Sequence, residues 1–312
     1  MSLFRAISNL FRDPARGSSP LIAVYCLVCS GCATIPYHYG HAKSSKPIES
    51  SLADVEFEYG GPHPKLDRLR RVVEFPERLF RGESKMAAHE LSDEHREQLA
   101  NYLSKNDLTE IHVLVNQYDP QGEWKRLKSN DRVAPGWRYT AGLFSLAGYT
   151  LLPGRVFGYQ RYNPYTNTLS INSDRLSPAV HEAACAKDAY GRPLPGTYAI
   201  MTSLPGASLW KTSRAVNDVL GYARTEDDWE LERETYRQYF SQVAKGIVMP
   251  AQFFVTPMVN VAVTMGGGAV GHAVGHVVEK RRLAERQAEM DEEEEADNDS
   301  SIQPAGYSKI AK

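Results

Sequence analysis

The 312-residue chain has only four cysteines, and three of them, Cys26, Cys29 and Cys32, fall within its first 32 residues. Removal of that segment before Cys32 would leave Cys185 as the one thiol of the folded part, which excludes an intrachain disulfide scaffold. Stability therefore has to come from a packed core, and the length allows one domain of moderate size. Net charge is also lacking. A formal charge of -2 gives no global basic field, which argues against nucleic acid as a partner. Phosphate-binding loops, dinucleotide fingerprints and paired-cysteine zinc sites are absent from the sequence. Residues 246–278 contain no Lys, Arg, Asp or Glu, and that local absence suggests a membrane-facing segment.

The N-terminus has the layout of an export signal. Arg5, Arg12 and Arg16 precede a short apolar run over residues 21–28, then Cys29-Ser30-Gly31-Cys32. The apolar run is too short to span a bilayer, which takes about 20 residues. Ser30-Gly31-Cys32 resembles a lipobox, with Cys29 where a leucine is usual. That resemblance implies a lipoprotein signal over residues 1–32, with Cys32 as the lipid attachment site. It also implies a lipid-anchored protein on the exported side of a cell membrane or outer membrane, with membrane lipid as a partner. The alternative is an uncleaved signal anchor with incidental cysteines.

Residues 33–54, rich in Ser, Pro, Lys and His, read as a flexible tether. An α+β domain, a small sheet with helices, is expected over residues 55–245. Ser92 is an N-cap candidate, with Asp93 and Glu94 in the first turn behind it. Residues 111–115 and 168–172 read as strands, and Asp119-Pro120-Gln121-Gly122 as a turn. Residues 142–152 read as a buried strand pair or a membrane-surface hairpin. Ser177, followed by Pro178, is the expected N-cap of a helix carrying His181. Further helices are expected over residues 207–223 and 226–244. Beyond them Gly267, Gly271 and Gly275 recur every four residues, as at a close helix–helix contact in a membrane. Lys280-Arg281-Arg282 would then place the C-terminus in the cytoplasm. The alternative for residues 246–278 is a buried, glycine-rich soluble hairpin. Residues 279–312 read as a charged, mostly disordered tail.

One stretch suggests chemistry. The strand at 168–172, followed by a helix bearing His181-Glu182-Ala183-Ala184-Cys185, resembles the core of zincin metallopeptidases. In those enzymes an edge strand aligns substrate and the next helix carries His-Glu-x-x-His. The run from Tyr162 to Asp188 is also similar to bacterial membrane proteins with a His-Glu-x-x-His-Ala-Lys-Asp core. The resemblance implies a zincin-like strand-then-helix core, with His181 as a zinc ligand and Glu182 as the base that polarises water. Cys185 stands where the second histidine belongs. A thiolate binds zinc as well, though it leaves the metal a weaker Lewis acid. A third ligand would come from a later helix, here the one through Trp210-Lys211-Thr212-Ser213, where Asp218 is the nearest carboxylate and Asp188 an alternative.

Three classes of function follow. The first is a membrane-anchored envelope lipoprotein whose degenerate zincin-like domain is non-catalytic and acts in binding or scaffolding, with a protein or peptide partner. The second is an active zinc-dependent metallopeptidase using His181, Cys185 and one carboxylate. The third is a purely structural envelope protein. A third carboxylate beside His181 and Cys185 favours the second class. Lys211 or a packed apolar side chain in that place favours the others.

Overall fold

The computed structural model describes residues 55–70, 72, 91–204, 207–248, 271 and 273–292. Cys32, the expected tether and most of the charge-free stretch lie outside these residues. Within them the fold is α+β and mostly helical. The ordered elements are β1 (Phe57–Tyr59), α1 (Asp93–Lys105), β2 (His112–Val115), α2 (Pro120–Ser129), α3 (Leu143–Leu151), β3 (Arg161–Asn163), β4 (Thr168–Ile171), α4 (Leu176–Tyr190), α5 (Pro195–Ser203), α6 (Ala207–Thr225) and α7 (Trp229–Val248). A further helical run covers residues 273–292.

The four strands form a mixed sheet of order β1-β2-β4-β3. β1 and β2 run parallel with Phe57 opposite Val113, and β2 runs parallel to β4 with Val113 opposite Leu169. β3 pairs antiparallel with β4 through the Asn163–Asn167 turn, as the turn residues predict. β4 is therefore an interior strand. The resemblance implies an edge strand at this place, and β3 occupies the edge instead.

Side chains alternate across the sheet. Val113, Val115, Leu169 and Ile171 face Leu99 and Leu103 of α1 and Val180, Ala183 and Ala184 of α4, all buried in one cluster. Each fully buried leucine there contributes about 1.5–3 kcal/mol of transfer free energy. The opposite face meets α2, where Thr168 Oγ1 donates to buried Glu123 at 2.9 Å.

Four expectations change. Asp119-Pro120-Gln121-Gly122 is not a free turn. Asp119 caps α2, accepting from Gly122 N at 2.9 Å, with Pro120 in the first helical position. Residues 142–152 are neither strand pair nor hairpin. A π-helical turn, Arg138–Gly142, leads into α3, none of whose residues is buried. Ser177 does not cap α4, which starts at Leu176. Its backbone N–H donates to Glu234 Oε2 at 3.0 Å, so a carboxylate from α7 caps the helix in tertiary space. The charged tail is helical as far as residue 292 and lies antiparallel on α7. Gly275 fits there because a side chain would collide with Tyr236 O, its Cβ falling 2.8 Å away. Arg237 holds Glu279 at 2.7 Å, and Arg286 holds Asp227 at 2.6 Å. Glycine on this helix face thus serves close packing, here against α7. Among the described residues no helix is long and apolar enough to cross a membrane.

Ser92 caps α1 as expected and is itself held by Asp174. That carboxylate accepts from Ser92 N and Oγ at 3.0 Å and contacts His95 Nδ1 at 2.6 Å. Burial pulls the Asp174 carboxyl up, but these donors outweigh it and hold it below the usual carboxylate range. Asp174→Ala is expected to destabilise the fold by about 2 kcal/mol. The wild-type advantage should be complete above the ordinary value of 3.8 and gone once pH has fallen through the lower folded value. Denaturant titrations of both proteins across that pH range check this, and a pH-independent difference would contradict it.

Candidate functional site

α4 is buried along most of its length because alanines at 179, 183, 184, 186 and 189 let the sheet, α1 and α6 approach closely. This places His181, Glu182 and Cys185 inside the fold. His181 is only 5% exposed, and its ring stacks on Tyr239 of α7 with centroids 4.2 Å apart and planes at 21°. Neither ring nitrogen has a hydrogen-bond partner among the described residues. Nδ1 lies 3.4 Å from Glu182 Oε1, an electrostatic contact without hydrogen-bond alignment.

Glu182 joins the helix to the sheet edge. Its Oε2 accepts the backbone N–H of Tyr162 in β3 at 2.9 Å. Burial raises this carboxyl, but the His181 imidazole, the Lys211 charge and the Tyr162 N–H together take it below its ordinary value. Cys185 is buried. Burial pushes its thiol well up and the Glu182 charge adds to this, while Lys211 opposes it. The sulfur is a protonated thiol at neutral pH, which makes it a poor nucleophile.

The ligand-capable atoms of His181, Glu182 and Cys185 all lie within 4.8 Å of one another, so the group could hold a metal ion. Imidazole, carboxylate and sulfur suit an ion of the zinc type. The two orphaned nitrogens of His181 fit that reading, since a buried polar atom without a partner is costly. Asp218, the expected third ligand, is not in the group. Its Oδ1 lies 2.7 Å from Lys187 Nζ and its Oδ2 accepts from Tyr102. Asp188 is bound by Arg192 at 3.0 Å and Arg214 at 2.8 Å. Glu182, expected as the base, is thus the third donor of the cluster. Lys211 lines the same cavity as Glu182 and Cys185.

That cavity measures about 620 Å³ and is bounded by α3, β3, α4, α5 and α6. A second cavity of about 250 Å³ reaches His181 from the α7 side, past Tyr239 and Gln238. Glu182 borders both. Tyr162, Tyr239 and Arg161 were not legible as site residues, because they arrive from β3 and α7 with no local spacing to mark them. No protein-family model, curated protein or solved structure matches the chain.

Removing the Glu182 carboxylate leaves the Tyr162 N–H unpaired. Glu182→Ala should cost about 1–3 kcal/mol and speed amide exchange at Tyr162, whereas Glu182→Gln, which keeps a carbonyl acceptor, should cost less. Native-state hydrogen exchange resolved at Tyr162 decides the matter. Equal exchange rates in all three proteins would mean that the bond does not hold the edge strand.

Proposed function

We propose that the chain is a membrane-anchored envelope protein, lipid-attached at Cys32, whose degenerate zincin-like domain acts by binding or scaffolding without hydrolysis. The anchor rests on the N-terminal sequence alone, and one observation carries the non-catalytic part of this reading. The Glu182 carboxylate accepts the Tyr162 N–H and lies in the field of Lys211. The other two nearby carboxylates, Asp188 and Asp218, sit in ion pairs of their own. No free carboxylate among the described residues is left to polarise water beside His181 and Cys185. A lysine in the cavity that Glu182 and Cys185 line is the arrangement that favours binding over peptidase chemistry.

A second reading is favoured by the orphaned nitrogens of His181. His181, Glu182 and Cys185 would hold a zinc ion, which when bound acts as a Lewis acid. With Glu182 as a ligand the cluster has no separate base, so the ion would serve structure more than turnover.

Elemental mass spectrometry of the purified full chain, beside hydrolysis of a mixed peptide library, separates these readings. No hydrolysis above background, in wild type and in Glu182→Gln alike, is expected. Near-stoichiometric zinc that disappears in His181→Ala would support the second reading. Zinc-dependent cleavage abolished by Glu182→Gln would overturn the first and make the chain a metallopeptidase.

A further inference from the structure

The larger cavity carries more chemistry than the His–Glu–Cys cluster uses. Phe144, Tyr165, Ala199 and Ile200 give it an apolar wall, and Arg161 and Lys211 give it two cations. Its one carboxylate, Glu182, is already held by Tyr162 N–H. Among the described residues neither Arg161 nor Lys211 has a side-chain hydrogen bond or an ion pair. Several arginines elsewhere in the fold are matched, as Arg155 is to Asp67 at 2.9 Å and Arg224 to Glu232 at 2.8 Å. The surrounding sequence repeats this bias. Residues 132–173 contain no Asp or Glu but hold Arg132, Arg138, Arg155 and Arg161.

Phe144 of that wall is 81% exposed. An apolar pocket with a few placed charges is the usual form of a small-molecule site, and about 620 Å³ falls within the common range of about 300–1,000 Å³. An extended peptide is disfavoured, because Tyr162 N–H, the edge donor it would need, is committed to Glu182.

We infer that this cavity binds a single-chain anionic amphiphile, its alkyl chain against Phe144, Tyr165 and Ile200 and its carboxylate or phosphate headgroup paired with Arg161 and Lys211. The inference rests on the reading of the domain as a binding module and names its ligand class. The two cations exceed the single Glu182 charge, so an acid headgroup neutralises the site, and a neutral one leaves a cation unmatched.

The test is titration calorimetry of the delipidated full chain with monomeric dodecanoate, dodecyl phosphate and dodecanol. Both anions should bind at one per chain, and dodecanol about a hundredfold more weakly, about tenfold for each of the two charge-assisted contacts it lacks. Arg161→Gln and Lys211→Gln should each weaken the anions about tenfold and leave dodecanol unchanged. Ile200→Trp, which fills the cavity, should block all three, with unchanged circular dichroism as the check on folding. A preference for dodecanoate would identify a fatty acid as the source, and a preference for dodecyl phosphate a lipid phosphate. Equal binding of dodecanol, or anion binding indifferent to Lys211→Gln, overturns the inference. So does binding to anionic phosphatidylglycerol vesicles without binding of any monomeric amphiphile. Glu182-dependent peptide cleavage would instead overturn the underlying binding reading, and it is scored in a separate assay.

Discussion

The burial of α4 is the constraint on which the rest of the structure depends. A helix enclosed by a sheet on one side and by α1, α6 and α7 on the others must present small side chains, and five buried alanines supply them. Close approach of that kind leaves little room for polar groups without partners. Every polar side chain on α4 is therefore either matched by a neighbour or placed at a cavity. Lys187 is matched by Asp218, Asp188 by Arg214 and the α4 N-terminus by Glu234. His181 is of the second kind, its two ring nitrogens without hydrogen-bond partners beside a cavity.

That division explains why the expected metal set was rearranged. Asp218 sits on the predicted helix, α6, but its two oxygens are taken up by Lys187 and by Tyr102 rather than by the cluster. Glu182, one residue from His181, is brought to the same cluster because β3 offers it a backbone N–H on that side. A residue with a catalytic part in the sequence motif becomes a link between helix and sheet edge.

Much of the framework was legible. The alternating apolar residues at 113, 115, 169 and 171 and the capping serine at 92 correspond to β2, β4 and α1 with small shifts at their ends. The helices at α6 and α7 follow from their apolar periodicity. Where local signals misled, a second meaning of the same residues won. Asp-Pro-x-Gly begins a helix as readily as it makes a turn, and Ser177 beside Pro178 looks like a cap until α7 supplies one. Glycines spaced four apart signal close helix contact in any solvent, so Gly275 could not by itself distinguish a membrane neighbour from α7.

The sequence by itself determined the α+β class, the strands β2 and β4, the helices α1, α4, α6 and α7 and the His181-Glu182-x-x-Cys185 spacing, because these depend on local periodicity, caps and turn chemistry. Only the tertiary structure decided the roles. It made β4 interior and β3 the edge, gave Asp218 to Lys187, brought Lys211 and Arg161 to one cavity, and set Tyr239 against His181. Those pairings join residues far apart in the chain, and their energies come from burial and charge matching that no local spacing encodes.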